Sequence, residues 1–242
     1  MRSRCLRLAL TALLALSAWS AARAAELEEA RIYIEYNQSA NDLGFHVFLD
    51  GEDWMSLAIA NPLGEVVFEV DGYAGYAELG LTELFFEGAE PTLDEYPLAD
   101  LLALFPEGEY AFDGWTVDGE PISGVAELSH DVPAAPEVRI KVHDDRVTIR
   151  WKAVTEPAAI LPDGEIEIEA YQVLVGDVLD VVLDADARKF RVPDEVLEVL
   201  EPGEVDVEVL AVDENGNQTI AEGSFYWAGD DDQGEDEEDE DE

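Results

Sequence analysis

The chain has 242 residues, and its 58 acidic residues outnumber its 13 lysines and arginines, giving a formal charge of −45 at pH 7. This excess excludes nucleic acid and anionic membrane surfaces as partners, because both repel a polyanion. The single cysteine, Cys5, excludes an intramolecular disulfide, so stability has to come from a buried core.

Residues 1–24 are predicted to be a secretory signal peptide. An arginine-rich start precedes an apolar stretch from Leu8 to Trp19, and Ala22-Arg23-Ala24 fits a small-residue cleavage site. The apolar stretch is short for a membrane anchor, which needs about 20 residues. We therefore expect a secreted, periplasmic or cell-surface protein that does not insert into the membrane after cleavage.

Residues 25–132 are predicted to form a β-rich domain with one short helix. Alternating apolar and polar residues predict strands over 31–36, 45–49, 54–59 and 66–70. The pair Asp50-Gly51 is expected to end the second of these strands. Residues 82–87 fit either a strand or a helix.

The same domain is predicted to end in a helix and a hairpin. Leucines at helical spacing predict a helix that begins near Asp94 and stops at Pro106. A hairpin is predicted over 110–117 and 122–128, around the turn Asp118-Gly119. This segment resembles regions that precede the modules described next in secreted bacterial proteins, and that resemblance implies no function.

Residues 133–229 follow a proline-rich boundary and carry mostly strand patterns. An apolar strand ends in Trp151, another contains Tyr171, and Leu200-Glu201-Pro202-Gly203 precedes a third over 207–212. This combination resembles a fibronectin type III domain. The resemblance implies an immunoglobulin-like sandwich, with Trp151 on strand B and Tyr171 on strand C.

One position departs from that family's pattern. The tyrosine of the tyrosine corner is missing, and Val205 lies nearest to its place. We therefore expect the side-chain hydrogen bond of that corner to be absent.

The predicted fold class is mainly β, with two sandwich-like domains over 25–132 and 133–229. The second is expected to be a fibronectin type III-like sandwich. Residues 230–242 contain eleven acids and are predicted to be a disordered tail, because such a run of like charge cannot collapse.

The charge is divided unequally between the two domains. The first has 25 acids against Arg31 alone, whereas the second has 22 acids and eight basic residues. Strand alternation on strands A, B and E, which share one sheet in the fibronectin type III arrangement, places a basic face outward. Its predicted residues are Arg139, Lys141, Arg150, Lys152, Lys189 and Arg191.

Two interpretations of this basic face stay open. It is either an ordinary solvated strand surface or a docking surface for the acidic first domain or the tail. The second interpretation makes the contact sensitive to salt.

Two further sets of residues are candidates for binding. Asp213, Asn215 and Asn217 supply oxygen ligands of the kind that calcium prefers, although an Asn-Gly sequence between strands is more typical of a tight hairpin turn. Tyr73 and Tyr76 lie in a predicted loop and are candidates for a glycan-binding platform. Packing into the core or anchoring of the loop is the alternative for both tyrosines.

The sequence contains no catalytic motif that indicates a particular class of enzyme. None of its three histidines has metal-ligand spacing, and paired carboxylates occur everywhere. We expect a non-enzymatic binding or adhesion module for a protein or glycan, with no cofactor beyond loosely bound calcium. The alternatives are a cation-buffering or salt-adapted envelope protein and, third, a hydrolase.

Overall fold

A computed structural model describes residues 25–143, 146–162 and 164–229. The predicted signal peptide and acidic tail lie outside the described residues. The described part is mainly β, as predicted. Its strands are β1 (Ala25–Glu26), β2 (Glu29–Asn37), β3 (Asp42–Ala60), β4 (Val66–Asp71), β5 (Leu81–Glu87), β6 (Gly108–Thr116), β7 (Pro121–Leu128), β8 (Arg139–His143), β9 (Arg146–Arg150), β10 (Ile168–Val175), β11 (Leu179–Asp184), β12 (Lys189–Arg191), β13 (Gly203–Asp213) and β14 (Gln218–Trp227).

The helices of the described residues are short: α1 (Gly75–Leu79), α2 (Leu98–Leu104) and α3 (Asp194–Leu197). The sequence predicted α2, which buries Leu101, but placed its start near Asp94, whereas the helix begins directly after Pro97. It did not predict α1, because five residues are too few to show helical periodicity. None of these helices is long and apolar enough to cross a membrane.

The first half of the molecule comprises residues 25–132, and the second half comprises residues 133–229. Strand β3 pairs with several other strands and organises the first half. Residues 42–50 pair with β2, and residues 54–60 pair with β6. The register of β3 against β5 shifts between Asp50 and Trp54. The sequence predicted two strands separated at Asp50-Gly51, and this prediction was wrong. The pair lies inside the continuous strand, at the point where the pairing with β2 ends and the register against β5 shifts. Residues 82–87, ambiguous in sequence, belong to β5.

The second half forms the sandwich that the resemblance implied. One sheet has the order β12-β9-β8, which are the predicted strands E, B and A. The other contains β11-β10-β13-β14. Val205 is buried near the start of β13, at the place where the family has its corner tyrosine.

Each half has its own apolar core. The first is built around fully buried residues that include Ile34, Trp54 and Phe112, and the second around Ile149, Tyr171 and Val209. The first core also contains Ala158 and Leu161, which lie beyond the predicted boundary near residue 132. The loop after β9 therefore packs into the first half of the molecule.

Candidate functional site

The two halves are joined through a continuous sheet. Strand β14 pairs with β13 on one side and, in parallel, with β2 on the other, where Gln218 lies opposite Glu35. Below this short pairing, the fully buried Asn217 accepts a hydrogen bond from the Ile34 backbone N–H at 2.8 Å. Its side-chain nitrogen donates to the backbone oxygens of Ser129 and Asp131 at 3.0 and 2.8 Å. The β13–β14 turn is thereby tied to β2 and to the segment that directly follows β7.

The same turn contains the other two residues predicted as calcium candidates. The Asp213 Oδ1 accepts backbone hydrogen bonds from Asn215 and Asn217 at 3.0 and 3.1 Å. Burial raises the pKa of the Asp213 carboxyl to about 6, although these hydrogen bonds oppose the rise. The contacts of Asp213 and Asn217 hold the turn itself together, and calcium binding at this turn stays a prediction.

A cleft of about 1050 Å³ lies beside this junction. Its first wall consists of residues from β2, β3, β5 and β7, and its second wall consists of residues from β10, β11, β13, β14 and the β13–β14 turn. Because the paired strands β2 and β14 both contribute lining residues, the cleft is a product of the way the two halves are joined. Neither half supplies both walls alone.

The charge of this cleft is strongly negative. Among its described lining residues, Arg31 is the single lysine or arginine, and its guanidinium is already paired with Glu29 at 2.7 Å. Acidic side chains line both walls, and a bound cationic group would therefore meet carboxylates from each half. They are Glu35, Glu87, Glu127, Glu169, Asp184 and Glu214.

A histidine with three carboxylates around it lies in the first wall. His46 is buried, and its Nε2 lies 3.3 Å from Glu90 Oε1 and 3.9 Å from Glu35 Oε1. On the opposite side of the ring, Nδ1 lies 3.9 Å from Glu87 Oε2 and has no hydrogen-bond partner among the described residues. The Tyr33 ring stacks on the imidazole, with the two centroids 5.0 Å apart, and fixes its plane.

Glu35 is the residue that connects this cluster to the second half. Gln218 of β14 donates a hydrogen bond to its carboxylate. Burial raises the pKa of the Glu35 carboxyl, whereas His46 and the Gln218 hydrogen bond oppose that rise. The protein thus holds a partly desolvated carboxylate next to a buried imidazole.

Sequence reasoning missed this cluster because its members are far apart along the chain. Antiparallel register is what assembles it: His46 of β3 lies opposite Tyr33 of β2 and opposite Glu87 of β5. Glu90 then folds back over Gly44, where an added Cβ would lie 2.5 Å from its Oε1. The glycine at this position was the available signal, because only a residue without a side chain leaves this space open.

Five residues of the predicted basic face lie on the three-stranded sheet, Lys152 lies just beyond the end of β9, and all six are exposed. Arg139 and Lys189 each lie directly opposite Arg150, so three positive charges form one row across β8, β9 and β12. Like charges in this position repel each other. The Lys152–Glu137 pair at 2.5 Å and the Arg191–Asp194 pair at 2.7 Å both stay within the second half. Docking of the tail or the first half on this face stays a prediction.

The two candidate aromatic residues are both solvent-exposed. Tyr73 is 75% exposed, and Tyr76 is 62% exposed and lies in α1. The alternative of core packing is therefore wrong for both. Glycan binding by these tyrosines stays a prediction.

Comparisons with known proteins found weak structural similarity. No family model matches the sequence, and the search of curated proteins found no match. The chain is similar to the spore cortex lytic enzyme SleM of Clostridium perfringens, with a TM-score of 0.31, 15% identity, and coverage of 39% of this chain and 28% of that one. It is also similar to the fibronectin(III)-like modules of Clostridium thermocellum CbhA. The TM-score is 0.30, with 8% identity and coverage of 84% of this chain and 93% of that one.

A third similarity is to the Ca²⁺-stabilized adhesin of an Antarctic bacterium that binds ice. Its TM-score is 0.29, with 14% identity and coverage of 84% of this chain and 50% of that one. The chain thus spans about a quarter of the SleM structure and half of the adhesin structure. At TM-scores near 0.3, these similarities establish no family and no function for the chain.

Proposed function

We propose that the chain is a non-enzymatic, extracytoplasmic binding or adhesion module whose acidic cleft takes a cationic segment of a partner protein. The observation that carries this proposal is the cleft of about 1050 Å³ between the halves, with carboxylates on both walls. A cleft lined by one sign of charge concentrates oppositely charged ligands and accelerates their association. Lysine and arginine side chains are the cationic groups that a protein partner presents.

A protein partner fits this cleft better than a neutral glycan. The cleft also contains apolar surface from Val182 and from Phe85, which is 52% exposed, and the aliphatic stems of lysine or arginine pack on such surface. The cation–π attraction between a cationic group and an aromatic face adds to this. A neutral sugar would use neither the charge nor the apolar surface fully.

A second candidate function is that of a salt-adapted or cation-buffering envelope protein. It is favoured by the distribution of charge in the first half, where 25 acids face Arg31 alone. Burial raises the pKa of the Asp42 carboxyl, and the nearby carboxylates of Glu90 and Glu222 raise it further. Such mutual repulsion is relieved by bound or screening cations. A hydrolase is the third and least supported alternative.

The test is a binding titration with chemically distinct probes. Fluorescein-labelled octalysine and octaarginine are compared with three other probes. These are a neutral Gly-Ser octamer, the neutral sugar cellohexaose and the fully deacetylated hexamer of glucosamine, which is a cationic sugar. We expect the cationic peptides to bind and their affinity to fall as salt rises, because the attraction is electrostatic. Binding of cellohexaose but not of the peptides would contradict the proposal. Stabilisation by molar NaCl with no peptide binding would favour the envelope function.

A further inference from the structure

The cluster around His46 has two features that its own hydrogen bonds do not explain. The imidazole is buried, yet its Nδ1 has no hydrogen-bond partner among the described residues. A buried nitrogen without a partner loses its hydration and gains nothing in return. On the other side of the ring, three atoms that can ligate a metal, from Glu35, His46 and Glu90, lie within 4.8 Å of one another.

We propose that Glu35, His46 and Glu90 bind a divalent first-row transition metal ion of the Zn²⁺ class. Bonds of about 2.0–2.1 Å at a tetrahedral ion separate its ligand atoms by roughly 3.3–3.5 Å. His46 Nε2 lies 3.3 Å from Glu90 and 3.9 Å from Glu35, and no two of the three ligand atoms are more than 4.8 Å apart. Side-chain rotations would bring all three into range of one ion. Three protein ligands would leave the fourth position of a tetrahedral ion for water or a ligand.

The unpartnered nitrogen has a role in this arrangement. Coordination through Nε2 fixes the tautomer that carries its proton on Nδ1, and that N–H needs an acceptor. The Glu87 carboxylate lies on that side, with Oε2 3.9 Å from Nδ1. Carboxylate, histidine and metal then form the chain of contacts that commonly orients a metal-binding imidazole. Gln218 holds Glu35 in the same way from the second half.

The ligand set selects the class of metal. Calcium takes six to eight oxygen ligands, whereas imidazole suits zinc, copper, nickel and iron. The site therefore differs in place and in chemistry from the calcium predicted at Asp213, Asn215 and Asn217. It also does not depend on the partner proposed for the cleft, so either proposal can fail alone.

The experiment is a titration of the full chain with Zn²⁺ and, separately, with Ca²⁺, in 150 mM NaCl so that diffuse binding to carboxylates is screened. Histidine resonances are followed by NMR, and Co²⁺ is used as a visible-absorbing substitute for Zn²⁺. We expect one Zn²⁺ equivalent to shift the His46 ring signals and Co²⁺ to give the intense absorption of a four-coordinate site. Ca²⁺ at the same concentration is expected to leave His46 unshifted.

Matched variants separate this site from general acidity. Glu90→Gln removes an exposed ligand and should weaken Zn²⁺ binding more than tenfold, and Glu87→Gln should weaken it about 10- to 100-fold through the imidazole. Glu83 lies on the same strand as Glu87 but opposite Asp50 rather than His46. Glu83→Gln should therefore leave the Zn²⁺ affinity unchanged. Gly44→Ala should weaken binding by displacing Glu90, whereas Gly88→Ala should not, because its Cβ would meet nothing closer than 3.7 Å.

The outcomes decide the proposal in either direction. Unshifted His46 signals at saturating Zn²⁺, or equal affinities of Glu90→Gln and Glu83→Gln, would overturn it. In that case His46 only shares a hydrogen bond with Glu90, and Zn²⁺ binds diffusely. Glu90→Gln and Gly88→Ala do not disturb the core, because Glu90 is exposed and an added Cβ at Gly88 meets nothing closer than 3.7 Å.

Discussion

The side-chain oxygen of Asn217 accepts a hydrogen bond from the backbone N–H of Ile34, 183 positions away in the chain. This contact, with the two that the Asn217 amide donates to Ser129 and Asp131, closes the junction between the halves. All three partners are backbone groups, so they need hydrogen bonds whatever the sequence around them. This buried amide and the short β2–β14 ladder both help to hold the walls of the acidic cleft at their spacing.

Removal of the Asn217 amide should therefore destabilise the whole chain. Asn217→Ala leaves one N–H and two carbonyl groups without their partners, and we expect a loss of about 2–4 kcal/mol in the free energy of unfolding. Urea denaturation measures this loss. The control is Asn215→Ala in the same turn, where the side chain is exposed and the expected loss is below about 1 kcal/mol. Equal losses in the two variants would show that the junction does not depend on Asn217.

Stability should fall as pH rises from about 4 to about 6. The pKa of Asp213 is raised from 3.8 to about 6 by burial, so the folded chain binds this proton more tightly than the unfolded chain does. By linkage, the protonated carboxyl stabilises the fold below pH 4, and this advantage is lost through pH 6. The loss from this residue is about 2–3 kcal/mol at most.

Asp213→Asn tests the origin of that dependence. Asparagine keeps an oxygen to accept the two backbone hydrogen bonds but carries no charge, so the variant should be more stable at pH 7.5 and show a flatter profile. Unfolding by urea at pH 4.5, 5.5, 6.5 and 7.5 measures both effects. Glu214→Gln, at the exposed neighbouring position, is the control and should leave the slope in place. A profile of Asp213→Asn parallel to that of the parent would exclude Asp213 as the source.

The basic face should make the dimensions of the molecule depend on salt. We hypothesise that the row of Arg139, Arg150 and Lys189 attracts the acidic tail over 230–242, because the row has no acid within it. X-ray scattering is expected to show an increase in the radius of gyration between low salt and 0.5 M NaCl. The variant Arg150→Glu with Lys152→Glu should have the larger dimensions already at low salt. Identical profiles in both salts and in the variant would eliminate this contact.

The exposed tyrosines should not contribute to peptide binding in the cleft. Tyr73→Ala with Tyr76→Ala removes two large exposed rings and is expected to leave stability within about 0.5 kcal/mol, since neither ring is buried. Octalysine affinity, measured by fluorescence anisotropy, is expected to be unchanged. Loss of glucosamine-hexamer or cellohexaose binding in this variant, with peptide binding intact, would support the glycan platform as a separate site.

Local patterns in the sequence were sufficient for most of the fold. Alternation placed β2, β6 and β7, and the resemblance of residues 133–229 gave the pairing of β8, β9 and β12. These features depend on neighbours within one strand or on a fixed arrangement of strands. Strand β3 was predicted as two pieces because Asp50-Gly51 is typical of a turn, and nothing local shows that the ladder continues through it.

The site depends on relationships that no local pattern records. His46 lies beside Glu87 through cross-strand register and beside Glu90 through a loop that folds back over Gly44. Asn217 was a plausible cation ligand by composition, whereas its geometry commits it to backbone groups in the other half. The overall acidity was evident from composition, but its convergence on one cleft required the parallel pairing of β2 with β14.

The central claim is that the cleft, rather than the general acidity of the chain, recognises a cationic partner. The most direct test compares octalysine affinity at 150 mM NaCl in two triple variants of equal charge. One variant replaces Glu127, Glu169 and Glu214 of the cleft by glutamine, and the other replaces Glu69, Glu78 and Glu109, which do not line it. We predict about tenfold weaker binding for the first variant and no change for the second. Equal weakening in both would contradict the account, because binding would then follow net charge alone.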